Sequence, residues 1–541
     1  MKPRPELILS REEVEQLRGR LVAGQLQQPD YGVVLKLLDT LQVLMDALEN
    51  KKGSIRRLLK MLFGARNEKT ATVTGEGKPQ DGQKPRGSTS AGKGHGRTAA
   101  KGYWGAKRVE VPHAQLTVGE QCPDCARGKL YQLMDFSPLL WLEGRAPVAA
   151  TLYECQRMRC SACGTVFTAS PPGEAAEKKY HESVGSMIAL LRYGNGMPFY
   201  RLQQLQRSMG IPLPASVQWQ LVRQKAQALQ PLYQALMHFA AQGTLFHVDD
   251  TSVKILELLK GGASNHPPTD SPPHAQEKSS SSAHTTAIVA EADGHQIALY
   301  QSGRKIAGQN MDQLLSRRES HRAAPIQMCD ALAHNLPKAF QVILANCLSH
   351  ARRKFVEIVE PFPREVELIL HTVEQVYANE EIARNLKLSA QERLELHQRR
   401  SAFLMEGLRD WMQNQFATKT VEPNSVLGQA VSYTLKHWQP LTLFLRVPGA
   451  PLDNNICERI LKRAILHRKN SMFYKTQAGA AVGDLFMSLI STCILNKTDP
   501  FQYLTETEKH AAQVAADPVA WLPWNYERTL RNLPAPVAQA S

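Results

Sequence analysis

Two kinds of residue in this chain could do chemistry: acids at the ends of apolar runs, and paired cysteines. Asp249 lies inside the strand-like run from Gly243 to Leu256, and Asp330 ends the apolar run Pro325-Ile326-Gln327-Met328-Cys329. Two carboxylates on adjacent strands can bridge divalent cations. A third acid on a later helix would complete a two-metal site, which activates an attacking oxygen and stabilises the leaving one in a displacement at phosphorus. Glu458 is the candidate, in Leu452-Asp453-Asn454-Asn455-Ile456-Cys457-Glu458-Arg459. Asp453 or Asn454 reads as the helix N-cap, and Ile456, Ile460 and Ala464 as the apolar face that leaves Glu458 on another. Each acid also has a plainer reading: Asp330 as a loop cap, and Glu458 as the i,i+4 partner of Lys462. The surroundings favour the metal reading. From 458 to 475, Arg459, Lys462, Arg463, Arg468, Lys469 and Lys475 stand against the single acid Glu458, a frame suited to a phosphate backbone. Cys347 and His350 supply only two potential ligands, so the run Cys347-Leu348-Ser349-His350-Ala351-Arg352-Arg353-Lys354-Phe355 reads as a helix start with phosphate-contacting Arg352, Arg353 and Lys354.

The cysteines point to a second site. Cys122-Pro-Asp-Cys125 and Cys160-Ser-Ala-Cys163 are two CxxC knuckles 34 residues apart, with short β-like runs such as Leu130-Tyr131-Gln132-Leu133 between them. Four thiolates so paired can surround one Zn2+ tetrahedrally, as in a zinc ribbon, and such a closed site mainly folds its module. Cys155 lies outside the knuckle spacing and reads as core. Nine cysteines in 541 residues, five of them within 42, do not form a disulfide framework.

The elements that must position these groups follow from pattern. Thr285–Glu291 and Gln296–Gln301 flank an Asp293-Gly294 turn, a hairpin signal. With the Asp249 strand, the run ending at Asp330 and a further run Gln341–Cys347, the order is three antiparallel strands, then strand, helix, strand, helix. That is the order of a ribonuclease-H-like core: a mixed five-stranded sheet with helices. Lys260–His284, rich in Pro, Ser, Gly and His, reads as a disordered insertion. Arg364–Phe416 reads as all-helical, which accounts for the gap of 128 residues between Asp330 and Glu458 against 81 between Asp249 and Asp330. Helical patterning resumes from Asp453 to Asn496. Upstream, the Tyr180–Gln242 stretch is helical, and Tyr200–Gln206, Gly210-Ile211-Pro212 and Ser216–Val222 look like two helices and a turn, either a helix-turn-helix or a plain helical hairpin. Positions 34, 41, 48, 55 and 62 with 37, 44 and 58 are apolar, a four-heptad seam that favours self-association as a coiled coil.

Composition sets the partners. Between Lys51 and Arg108 fifteen Lys or Arg face three acids, so this segment carries +12 of the net +15. A polyanion, nucleic acid above all, is the expected partner of such a segment. Asn67–Gly102 has almost nothing apolar and reads as a flexible tether. The longest apolar run, near Leu485–Leu495, is interrupted by Ser488, Ser491 and Thr492, which argues against a membrane span; no apolar leader follows Met1, and a cytoplasmic location is expected.

These residues carry a resemblance. Asp453-Asn454-Asn455-Ile456-Cys457-Glu458-Arg459, with Arg468-Lys469-Asn470, Phe473 and Gly479-Ala480, resembles the C-terminal signature of insertion-sequence sixty-six family transposases. Supporting matches are Cys347 to Phe355, Asp249 to Thr251, the four-cysteine finger, Leu62 to Lys69 and Trp521-Leu522-Pro523-Trp524-Asn525-Tyr526. The resemblance implies an Asp-Asp-Glu transposase that cuts and joins DNA at transposon ends with Mg2+ or Mn2+, with the triad on Asp249, Asp330 and Glu458. It also implies transposon-end and target DNA as substrates, accessory transposition proteins, and a nucleoid-associated bacterial enzyme working as a homodimer or higher oligomer. Two departures stand out: the family's first motif is usually Asp-Glu-Thr, where this chain has Asp249-Asp250-Thr251, and Ala331-Leu332 replace the Gly-Tyr that often follows the second Asp. Strand register therefore has to decide between Asp249 and Asp250.

The expected organisation is multi-domain α/β: an N-terminal coiled-coil region (1–66), a basic linker (67–102), a zinc-binding DNA-binding module (103–170) and a helical region (171–242). The catalytic core follows in two parts (243–356 and 451–500) around a helical insertion (357–450), ahead of a C-terminal tail (501–541). Two other functions compete with the transposase. One is a zinc-finger DNA-binding protein without catalysis, which would not need the three acids together; the other is a ribonuclease-H-like nuclease, which would not need the tether, finger and coiled coil.

Overall fold

Nine residues from Leu245 to Val253 form β3, the strand about which the five-stranded sheet is built. β-Branched and aromatic residues give its first half a pleated surface buried on both faces, and its second half, from Asp249, is progressively more open. The computed structural model describes residues 146–159, 166–171, 177–260 and 283–533, with isolated positions ahead of them. Two short strands, β1 (Arg157–Arg159) and β2 (Val166–Thr168), pair antiparallel in a sheet of their own.

The larger sheet adds β4 (Ala283–Ala292), β5 (His295–Gly303), β6 (Ile326–Cys329) and β7 (Ile343–Asn346) to β3. Its order is β5-β4-β3-β6-β7. β4 is antiparallel to β3 and β5, whereas β6 runs parallel to β3 and β7 parallel to β6. The expected mixed five-stranded α/β sheet is therefore present. The β4–β5 hairpin turns on Asp293 (φ 45°) and Gly294 (φ 80°), the two positive-φ residues that a two-residue hairpin loop needs.

The helices that matter to the site are α1 (Ala307–Leu315), α2 (Leu348–Val356), α3 (Pro363–Asn385), α4 (Ala390–Arg400), α5 (Ala402–Ala417), α6 (Val426–Lys436) and α7 (Asn455–Ser471). Helices α3 to α5 fall where the long helical stretch Arg364–Phe416 was expected, and α6 follows it. They are not an appendage: Val373 and Val376 of α3 and Met405 of α5 share one apolar cluster with Leu245, Ile326, Met328 and Ala345 of the sheet. A second cluster joins Phe355 of α2 to Ile369, Leu370, Leu408, Met412 and Val431. The sheet is thus held to the insertion by continuous burial.

The chain divides into two compact units. One is built on Leu236–Ala464 with Lys475–Gln477 and contains the five-stranded sheet; the other is built on Pro79–Ala235, Ile465–Tyr474 and Ala478–Ser541. In the second unit, helices Phe199–Ser208 and Ala215–Ala228 stand where two helices and a turn were expected, and buried Lys225 pairs with Glu508. Helix Gln477–Leu495 is long and apolar enough to cross a membrane, but Ser488, Ser491 and Thr492 are buried inside the protein with its apolar residues, as in a core helix. Cys155 is half-buried and does not belong to the core as expected. The coiled-coil seam beyond Val34, the 67–102 tether, all four knuckle cysteines and residues 261–282 lie outside the described residues.

Candidate active site

Register decides how the first two acids relate. Leu245, Phe246 and His247 of β3 stand opposite Ile326, Gln327 and Met328 of β6. Continuing this pairing by two residues sets Asp330, the residue just past β6, opposite Asp249. The electrostatics agree. Burial, followed by the Asp330, Glu458 and Asp250 carboxylates, raises the Asp249 carboxyl to about 7, against a partly offsetting hydrogen bond from the Asp250 N–H (2.9 Å).

Asp250 points to different partners. Its carboxylate accepts hydrogen bonds from the Thr286 hydroxyl and from the Ala307 N–H (2.8 Å) at the start of α1. Asn310 of α1 donates in turn to Thr286. Asp250 therefore ties α1 to the sheet through a satisfied network, as alternation along a strand requires of a residue next to Asp249. Asp330 accepts from the Leu332 N–H (3.3 Å) and the Asn335 side-chain amide, which orients its carboxylate.

Glu458 is held by the start of α7, and here the structure corrects the sequence reading twice. Asn454 does not cap the helix with its side chain. It is fully buried, donates from Nδ2 to the Val248 carbonyl (2.9 Å) and meets His247 Nδ1 at 3.2 Å, so it staples α7 to β3 one residue before Asp249. Asp453 takes the Asn455 N–H (3.0 Å). The buried face of α7 is Cys457, Leu461 and Ala464, while Ile456 and Ile460 are only partly buried. The Cys457 thiol bonds to the Ala287 carbonyl (3.2 Å), opposite Asp249 in β4, and this anchors the turn that carries Glu458.

Glu458 has no ion pair with Lys462; it faces His350 instead, with Nδ1 and Oε1 3.8 Å apart. Neither atom has a hydrogen-bond partner, and both are shielded from solvent. Cys347 Sγ lies within 4.8 Å of them, so the pair judged too small for a metal gains a third donor from α7. Burial raises the Cys347 and Cys329 thiols to about 12, which excludes either as a ready nucleophile. His247 is driven the other way, to about 4 by burial, and is neutral.

Two tyrosines that sequence reasoning missed come from the insertion. Tyr433 of α6 is raised to about 12 by burial and the nearby Asp330 charge, and the Lys354 ammonium sits 4.3 Å above its ring. Tyr377 of α3 meets the Ser349 hydroxyl at 2.8 Å, and burial and Asp453 raise its phenol well above the ordinary range. Nothing local in the sequence marks either one. Of the expected phosphate-contacting residues, Lys354, Arg459, Lys462 and Lys469 are exposed, and Arg352, Arg353, Arg463 and Arg468 are partly buried. Arg463 loses basicity through burial. Arg468 and Lys469 belong to the second unit.

A Ser-His-Glu arrangement elsewhere needs separate judgement. His397 Nδ1 meets Ser401 Oγ at 2.9 Å and Nε2 meets Glu380 Oε2 at 2.9 Å, but Ser401 and His397 are both 0% exposed. No substrate can reach that serine, so the network is structural.

Residues 178–482 match the model of the Transposase IS66 family, and this span contains β3 through α7 and all three clustered acids. The chain belongs to the Transposase IS66 family. Three proteins of Sinorhizobium fredii (strain NBRC 101917 / NGR234) are similar to it. Uncharacterized protein y4hP is 32% identical over 35% of this chain and 36% of its own length. Uncharacterized protein y4jD is 26% identical over 69% of this chain and 71% of its own, and uncharacterized protein y4qI 23% identical over 64% and 62%. The chain thus spans about a third of the first relative and about two thirds of the others. The four knuckle cysteines and the basic 51–108 segment lie N-terminal to the matched family span.

Proposed function

We propose that this IS66-family chain is a DNA transposase of the Asp-Asp-Glu type, with a ribonuclease-H-like core that cleaves transposon ends and joins them to target DNA. The observation that carries the reading is the register that sets Asp330 opposite Asp249, with Glu458 near enough that burial and the neighbouring carboxylates together raise the Asp249 carboxyl to about 7. Three acids gathered without a compensating cation are mutually repulsive, and an all-oxygen donor set of this kind fits hard divalent ions. Asp249, Asp330 and Glu458 would hold Mg2+ or Mn2+. The bound ions supply electrostatic stabilisation to the attacking and leaving oxygens of an in-line displacement at phosphorus.

The remaining work falls to the chain's own residues. Asn454 and Cys457 fix the start of α7 against β3 and β4, which holds Glu458 beside the two aspartates. Exposed Arg459, Lys462 and Lys354 suit contacts to phosphate that position the strand, with Arg352, Arg353 and Arg463 adding positive charge on the same unit. The strand order β5-β4-β3-β6-β7 supports the ribonuclease-H-like reading.

Upstream, Cys122, Cys125, Cys160 and Cys163 would hold a structural Zn2+, and the 51–108 segment would grip DNA through its phosphates. Support comes from the backbone on either side of each knuckle: Gln121 bridges Lys129, and Arg159 pairs with Val166, both antiparallel. Zinc analysis of purified protein should give one ion per chain, lost in a Cys122→Ser/Cys160→Ser double variant. Self-association through the N-terminal helix and a need for accessory proteins are part of the same proposal. The deciding experiment is strand transfer in vitro with cognate transposon-end DNA and Mg2+. Joined product is expected; end binding without cleavage would identify a DNA-binding protein, and cleavage without joining a nuclease.

A further inference from the structure

His350 and Glu458 come from elements 108 residues apart and meet with donor atoms that nothing else engages. His350 is in the first turn of α2, and Glu458 is in the first turn of α7. Their Nδ1 and Oε1 atoms are both shielded and both lack a hydrogen-bond partner. Leaving such atoms unmatched is unfavourable, and a direct hydrogen bond would bring them within about 3.2 Å. The histidine–glutamate pair in the insertion closes to 2.9 Å. The 3.8 Å between His350 and Glu458 instead suits two atoms that each make a bond of about 2.0–2.2 Å to one shared transition-metal ion.

We propose that His350 Nδ1 is a ligand of the cation held by Glu458, which makes that position a mixed nitrogen–oxygen site favouring first-row transition ions over Mg2+. This rests on the reading of Glu458 as a metal-binding carboxylate. Imidazole is a borderline ligand that Mg2+, which demands oxygen, accepts poorly. Cys347 is the positioning residue. Its sulfur accepts the Asn454 N–H (3.3 Å), which locks the start of α2 to the turn before α7 and so fixes the His350–Glu458 separation.

Mn2+ is the suitable probe, because soft thiolate sites select Zn2+ and leave the upstream cysteines out of the measurement. Full-length, zinc-loaded protein is titrated with Mn2+ by electron paramagnetic resonance, and the bound ion is then examined by electron spin echo modulation for 14N coupling. Wild-type protein is expected to show the coupling. The His350→Gln variant should lose it and bind Mn2+ about 10–100-fold more weakly, with Mg2+ affinity little changed. The wild-type spectrum decides the question even if a variant folds poorly. Bound Mn2+ without 14N coupling, or coupling that survives in His350→Gln, overturns the proposal and leaves the carboxylate triad standing. Mn2+ binding unaffected by both Glu458→Gln and Asp249→Asn overturns the triad reading and this proposal together.

Discussion

Two histidine–glutamate pairs of the five-stranded unit, each joining residues of different elements, differ in every respect that matters for function. His397 and Glu380, on α4 and α3, touch at 2.9 Å; the other imidazole nitrogen is taken by Ser401, and the Arg393 guanidinium adds a bond to Glu380 at 2.7 Å. His350 and Glu458 stand 3.8 Å apart with their facing atoms unmatched, beside carboxylates that repel one another. The first pair is closed and is sufficient in itself, so it contributes rigidity. The second is chemically incomplete, and two unmatched atoms that face each other beside further carboxylates are suited to binding something else.

Breaking each pair should therefore have different consequences. The largest effect is expected from Glu458→Gln, which removes a charge that the cations need while keeping shape: DNA cleavage should fall by orders of magnitude with end affinity close to normal, read by cleavage and binding assays on the same preparation. Glu380→Gln should do the reverse. It removes the negative charge that Arg393 and the buried His397 face and should cost about 2–3 kcal/mol, less than a fully buried pair because Glu380 is partly exposed. Thermal denaturation should register that loss as a drop of several degrees in Tm, with cleavage per folded molecule unchanged.

A smaller effect concerns pH. The Asp249 carboxyl is raised from 3.8 to about 7, so the fold holds a proton that the unfolded chain has already released above pH 4. Without divalent ions, stability should fall as pH rises from about 4 to about 7, and Asp249→Asn should flatten that slope in pH-dependent denaturation. Added Mg2+ should offset the loss above pH 7, since binding requires the deprotonated form. Smallest of all should be Asp250→Ala, which deprives the Ala307 N–H of its acceptor and should cost about 1 kcal/mol, measured by chemical denaturation.

Much of the fold around these pairs was legible in the sequence, and the pairs themselves were not, for identifiable reasons. Local pattern was enough for the hairpin, because Asp293-Gly294 supplies the two positive-φ residues its turn requires. It was also enough to place the strand runs ahead of Asp330 and Cys347, since short apolar runs with turn signals are a local property. The choice between Asp249 and Asp250 was not local: both occupy one strand, and only the partners on β4, β6 and α1 separate their faces. On α7 the apolar residues Ile456, Cys457, Ile460 and Leu461 fit two helical faces equally well, and packing of Cys457 against Ala287 selects one. Asn454 looked like a cap because that is the common role of Asn ahead of a helix, but a buried carbonyl at Val248 claimed its amide. Tyr377, Tyr433 and the meeting of His350 with Glu458 depend on contacts between elements that are not neighbours in the chain, for which no spacing rule exists.

Neighbouring aspartates on β3 offer the most direct test of the central claim, that Asp249, Asp330 and Glu458 form the cation-binding catalytic centre. Cleavage of transposon-end DNA in Mg2+ is measured under single-turnover conditions for wild-type protein, Asp249→Asn and Asp250→Asn, with zinc content and end affinity recorded for each. The account predicts that Asp249→Asn loses cleavage by orders of magnitude while binding ends normally, and that Asp250→Asn retains most of it. Undiminished cleavage in Asp249→Asn, or loss confined to Asp250→Asn, would contradict it.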